Sequence, residues 1–170
     1  TETLFESIGE TEAAWLPAQM HKVDILRAQN QADEAAALLV ALTQRYPAKT
    51  QLRKILAEFY FQENAFNKAI QLYNQLITEL ETKPQATAKN TVEPVQFYFA
   101  RGASYERLQQ FKNASSDLEK ALELAPSNPT ILNYLGYMWL DTDTNFDQAF
   151  AYVQKAALLN QSGFLHVGKG

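Results

Sequence analysis

Four versions of one short phrase recur along this chain: Gln31-Ala32-Asp33-Glu34-Ala35, Ala65-Phe66-Asn67-Lys68-Ala69, Gln110-Phe111-Lys112-Asn113-Ala114 and Asn145-Phe146-Asp147-Gln148-Ala149. Their closing alanines lie 34, 45 and 35 residues apart. A period near 34 marks a stack of helical hairpins, in which no unit buries its apolar face alone. Only 6 Gly and 6 Pro interrupt 170 residues, so the composition also favours helix. The expected fold class is all-α, an α-solenoid.

Aligned on those alanines, the repeats run 16–49, 50–83, 95–128 and 129–163. In each, the first helix carries a small or modest residue, Val23, Ala57, Gly102 or Gly136, followed three positions later by Leu26, Tyr60, Tyr105 or Trp139. A small residue admits the partner helix and the bulky one fills the space between hairpins. The second helices repeat the packing with Leu39/Leu42, Tyr73/Leu76, Leu118/Ala121 and Val153/Ala156, each pair on one helical face. Pro47 and Pro126 stop the second helices of units one and three. Asn128-Pro129 reads as an N-cap followed by a first-turn proline. Eight helices are predicted, over 16–29, 32–45, 50–63, 66–80, 95–108, 111–124, 129–141 and 146–159.

On these residues the units resemble tetratricopeptide repeats of bacterial type. Unit three fits best, with Tyr98, Gly102, Tyr105, Ala114, Leu118, Ala121 and Pro126 in place and Arg101 where leucine is usual. Unit four supplies Leu132, Leu135-Gly136, Trp139, Ala149 and Ala156, with one extra residue in its turn. Units one and two depart from the pattern at Val23 and Glu81. The resemblance covers 16–163 and implies a right-handed superhelix that acts as a protein-binding scaffold. An exposed loop is expected at 84–94. Residues 1–15 are an N-terminal arm or capping turn, with Leu4, Phe5 and Ile8 able to cover unit one. Residues 164–170 form a tail or the start of a further repeat. Repeat stacks need a polar cap, and the last helix offers Phe150, Val153 and Ala157 to a neighbour, so pairing of two copies through that helix is the alternative reading.

Catalysis finds little support. His21 and His166 lie at opposite ends of the predicted stack, and no phosphate loop or nucleophile elbow is present. The segment 141–147 starts like a calcium loop, but Phe146 and Tyr152 occupy the glycine and glutamate places. There is no cysteine for a disulfide or thiolate zinc site. Net charge is −4 without a basic stripe, which argues against nucleic acid. No apolar run approaches the ~20 residues that span a bilayer. No cofactor, metal or enzymatic activity is expected, and the compartment stays open between cytoplasm and periplasm.

What remains is a surface. In the family the first helices line a concave groove, and the resemblance places Lys54, Glu58, Phe61, Phe99, Ala103, Arg107, Asn133 and Tyr137 there, with Met20, Asp24, Arg27, Glu106 and Leu140 alongside. Phe61, Phe99 and Tyr137 would anchor an extended peptide or helix, while Lys54 and Arg107 meet its acidic groups. The carboxylate clamp of chaperone-binding members is absent, since Met20, Asp24, Ile55, Gln96 and Ala100 stand at its positions.

Overall fold

The structure is a computed structural model that describes residues 12–82 and 92–167. These form eight helices: α1 (Glu12–Ala28), α2 (Ala32–Arg45), α3 (Thr50–Gln62), α4 (Phe66–Thr82), α5 (Val92–Arg107), α6 (Phe111–Leu124), α7 (Pro129–Asp141) and α8 (Phe146–Val167). They pair as four hairpins, each packed on the next. The period-34 reading therefore holds, and the fold is an all-α solenoid of helical hairpins. The expected contributions of Leu4, Phe5 and Ile8, and of 84–91 and 168–170, lie outside the described residues.

The repeated alanines explain the stacking. Ala35, Ala69, Ala114 and Ala149 are fully buried, as are Ala57, Ala121 and Ala156. Gly102 and Gly136 allow closer approach still. A methyl on Gly136 would come within 2.8 Å of Val153 Cγ2, and one on Gly102 within 3.0 Å of Leu118 Cγ. Against these small residues pack Leu39, Leu76, Leu118 and Trp139, all buried. Each large buried side chain contributes roughly 1.5–3 kcal/mol.

Each hairpin turns in the same way. Asn30, Asn64, Gln109 and Asp143 adopt positive φ of 58, 57, 59 and 51°. The next backbone N–H in each turn bonds five residues back, to the carbonyls of Leu26, Tyr60, Tyr105 and Trp139, at 2.8–2.9 Å. This left-handed closure satisfies helix-end carbonyls that would otherwise be orphaned. The turn into α7 is the expected cap: Asn128 Oδ1 accepts from the backbone N–H groups of Thr130 and Ile131 at 3.0 and 3.2 Å.

Four helices are longer than predicted, α4 by two residues at its end, through Thr82. The first begins at Glu12 instead of 16, which leaves Pro17 inside it. An interior proline forfeits a backbone hydrogen bond, offset here by Trp15, which packs on Tyr46 at 6.0 Å and lies beneath the guanidinium of Arg45. The fifth begins at Val92, with Pro94 tolerated in its first turn. The eighth continues through Val167, eight residues past the predicted end, with no break at Gly163.

The core falls into two clusters. One holds Val23, Ala35, Leu39, Leu56 and Phe59, around the first three helices. The other runs from Ala57 to Ala156. Tyr60 and Leu72 pack against both.

Candidate functional site

The first helix of each hairpin, α1, α3, α5 and α7, carries the residues predicted for the groove. They divide by how far their own chain already occupies them. Tyr137, on α7, is 54% exposed, and Glu58 is exposed one turn from Gln62, whose amide donates to it at 3.3 Å. Asn133 is half-buried. Phe99 is partly buried and meets Tyr134 edge to face at 5.3 Å, while Phe61 meets Phe66 in the same manner at 5.7 Å. Ala103 is buried at 2%, so it floors the surface without offering a side chain to it.

The two cations differ. The ammonium of Lys54 pairs with Glu93 and lies 5.7 Å from the Phe97 ring, so it joins α3 to α5. Arg107 is 60% exposed, pairs with its neighbour Glu106 at 3.5 Å and also acts on the Tyr134 phenol. Along the same face Arg27 of α1 donates to Gln62 of α3 and overlies Phe59.

The sequence reading passed over Tyr134. Its hydroxyl donates to Glu106 Oε2 at 2.9 Å, linking α7 to α5. Burial and this bond push its phenol pKa up to about 12. Phe99, Glu106 and Tyr134 thus form one aromatic and acidic cluster across two hairpins, with Tyr137 one helical turn beyond Tyr134. The available signal was helical spacing, since Tyr134 precedes Tyr137 by three residues.

The arrangement of these helices is held by polar contacts within the third hairpin and between it and the second. Arg101, in the place where the family pattern has leucine, donates to both oxygens of Asp117 at 2.7 and 2.6 Å and to Asn74 Oδ1 at 2.7 Å. Tyr98 donates to Glu81 at 2.9 Å, and its pKa rises to about 12 through burial first and that bond second. A cleft of about 490 Å³ lies elsewhere, between α6 and α8, over Leu122, Leu132 and Tyr152. None of the predicted groove residues lines it.

Among the described residues no group of His, Cys, Asp or Glu is placed to hold a metal ion, and no helix is long and apolar enough to cross a membrane.

Comparison with known proteins bears on the family. Models of the tetratricopeptide repeat match residues 26–88 and 95–128. A TPR repeat-containing protein of Pseudomonas aeruginosa is 28% identical over 147 residues, covering 86% of this chain and 23% of its own length. The CTR9 homolog of Arabidopsis thaliana is 30% identical over 121 residues, 71% of this chain and 10% of that protein. The mitochondrial import receptor subunit TOM70 of Rattus norvegicus is 32% identical over 78 residues, 46% of this chain and 12% of that one. The chain thus spans between a tenth and a quarter of the length of these relatives. Among solved structures, MamA MSR-1 superposes with a TM-score of 0.70 at 17% identity, covering 95% of this chain and 86% of that one. MamA of Desulfovibrio magneticus RS-1 gives 0.68 at 14% identity, covering 85% and 75%. The buried alanines, the recurrent hairpin turn and the two matching models agree: this chain is a tetratricopeptide repeat protein.

Proposed function

We propose that the chain is a non-catalytic protein-interaction scaffold that binds a peptide or helix of a partner protein across the face of its first helices. The observation that carries this reading is the exposed Tyr137, one helical turn from Tyr134, which meets Phe99 and bonds the Glu106 carboxylate. A half-exposed tyrosine on a rigid helix is an economical anchor, because few torsions freeze when it binds. Phe99 on α5 and Phe61 on α3 continue the apolar floor towards the N-terminal hairpins. Arg107, 60% exposed beside Glu106, can meet a partner carboxylate, whereas Lys54, matched by Glu93, serves the scaffold. The family supports protein partners, and TOM70 is named for an import receptor.

The test is selection of a displayed peptide library on the wild-type chain. Peptides that bind wild type and lose binding to Tyr137→Ser and Arg107→Glu support the reading, provided both variants keep wild-type far-UV circular dichroism. Peptides that bind all three alike refute it.

A further inference from the structure

Each hairpin meets the next along a seam, and the seams differ in what closes them. Between the second and third hairpins two side chains of α5 do so. Tyr98 donates to Glu81 of α4, and Arg101 donates to Asn74 of α4 at 2.7 Å as well as to Asp117 of α6. Between the third and fourth hairpins lies the cleft of about 490 Å³. The repeats show why it is open. Leu132 stands in the place of Tyr98 and Leu135 in that of Arg101, while Pro126 replaces Glu81 and Tyr152 replaces Asp117. Neither leucine reaches as far as the side chain it replaces, and Leu135 is fully buried.

One partner of that guanidinium is retained in a stronger form. At the Asn74 place α6 carries Glu119, which lines the cleft. In the preceding seam this position accepts a guanidinium N–H through a neutral amide oxygen. Here a carboxylate stands there, and hydrogen bonds to an ionised acceptor are shorter and about twice as strong. Among the described residues Glu119 makes no hydrogen bond or ion pair. One turn on, Glu123 also lines the cleft and pairs with Lys120 at 2.7 Å. The cation of the cleft itself, Lys155, is engaged elsewhere. Its ammonium donates at 2.8 Å to the carbonyl of Pro126, seven positions beyond Glu119 and roughly 10 Å along the helix direction. Much of the remaining lining is apolar: buried Leu122 and Leu132, and the ring of Tyr152, stacked on Trp139 at 5.7 Å.

We infer that this cleft is a binding site for an arginine side chain of a partner polypeptide. Its guanidinium takes the place that Arg101 fills one repeat earlier and donates to Glu119. Its methylenes lie against Leu122 and Leu132, beside the Tyr152 ring. The volume falls within the range of ligand sites, roughly 300–1,000 Å³. Arginine suits the cleft better than lysine, because its planar fork gives two parallel N–H bonds to one carboxylate and stacks on an aromatic face. The site lies apart from the predicted groove residues and does not depend on what binds there.

The probe is the blocked tripeptide acetyl-Ala-Arg-Ala-amide, titrated into the intact isotope-labelled chain and followed by NMR amide correlation spectra. The expected result is saturable shifts centred on the amides of Glu119, Leu122, Glu123 and Tyr152. Glu119→Gln should weaken this binding at least ~5-fold, and Tyr137→Ser should leave it unchanged. The citrulline analogue has the same shape without the charge and should also bind at least ~5-fold more weakly. The lysine analogue should bind more weakly than arginine. Free arginine brings its own carboxylate to the same acidic rim and should bind more weakly too. Glu119 is exposed, so Glu119→Gln keeps the fold, which the spectrum of the free variant checks. Absence of saturable shifts in these amides, equal binding of the citrulline analogue, or indifference to Glu119→Gln overturns the proposal. Lysine binding as tightly as arginine overturns the choice of side chain. Free arginine binding more tightly than the tripeptide would make the cleft a small-molecule site and overturn the polypeptide partner.

Discussion

Replacing Arg101 by leucine brings the third repeat closer to the family pattern, yet it is expected to destabilise this protein. Arg101 and Asp117 are 17 and 8% exposed at their side chains and share two short hydrogen bonds between α5 and α6. Burial works against the guanidinium's charge, and the Asp117 bond and charge favour it, with a net pKa above that of a free arginine. Removing one partner of a buried pair costs about 3–5 kcal/mol, because the other charge is stranded. Arg101→Leu strands the more buried member, so about 3 kcal/mol is expected. Asp117→Leu leaves an arginine that still reaches Asn74 and solvent, which lowers its cost to about 2 kcal/mol. The double leucine variant should return to within ~1 kcal/mol of wild type, as buried ion pairs exchanged for apolar residues generally do. The cycle then shows a coupling of roughly 4 kcal/mol. Urea unfolding followed by circular dichroism measures all four proteins. Repeating it at high salt should change the coupling little, since a buried pair is weakly screened. If Arg101→Leu alone is as stable as wild type, or the coupling is below ~1 kcal/mol, the pair does not hold the two helices of the third hairpin together as argued.

Three further outcomes follow from other contacts. Gly136→Ala should cost about 1–3 kcal/mol, seen as a lower Tm, because the added methyl meets Val153 Cγ2 at 2.8 Å and the Ala149 carbonyl at 3.0 Å. Gly102→Ala, with its nearest contact at 3.0 Å to a side chain, should cost less, as helix propensity offsets the strain. Gln109→Gly should stabilise by about 1 kcal/mol in urea melts, since glutamine pays for its φ of 59° and glycine does not. Tyr73, Tyr98 and Tyr134 have phenol pKa values raised from 10.0 to about 12, in each case mainly by burial. The folded state therefore favours the neutral phenol. Its contribution is complete below the unfolded pKa of 10.0 and is lost as pH rises towards about 12. Urea midpoints taken along that range should fall, and Tyr98→Phe should flatten the fall.

The sequence showed most clearly those features set by steric necessity. Ala35, Ala69, Ala114 and Ala149 have no exposure because any larger residue would separate the helices of a hairpin, and that constraint writes a period into the chain. Asn128-Pro129 was equally readable, since capping and a first-turn proline are local chemistry. The left-handed turn was less visible. Asn30 and Asn64 suggest it, but Gln109 has no such preference and adopts the conformation because the hairpin imposes it. Arg101 reads as a departure from pattern until Asp117 and Asn74, on two other helices, are brought to it. The groove residues show the same limit. Spacing places Lys54 on the right helix, but its match with Glu93, 39 positions away, belongs to tertiary structure.

The division of the core into two clusters that meet at Tyr60 and Leu72 has a consequence for cooperativity. In a linear stack, free energy passes between neighbours only through the interface they share. Here the seam between the clusters runs through the second hairpin, so α1 and α2, with the face of α3 that carries Leu56 and Phe59, form a unit able to open while the remaining helices stay closed. Amide hydrogen exchange would then register two opening free energies, a lower one before Thr50 and a higher one beyond Phe66. Tyr60→Ala would widen the gap between them by cutting a link common to both clusters. A ligand that spanned all four hairpins would be gripped only after the first hairpin had closed, so part of its binding energy would go into completing the fold.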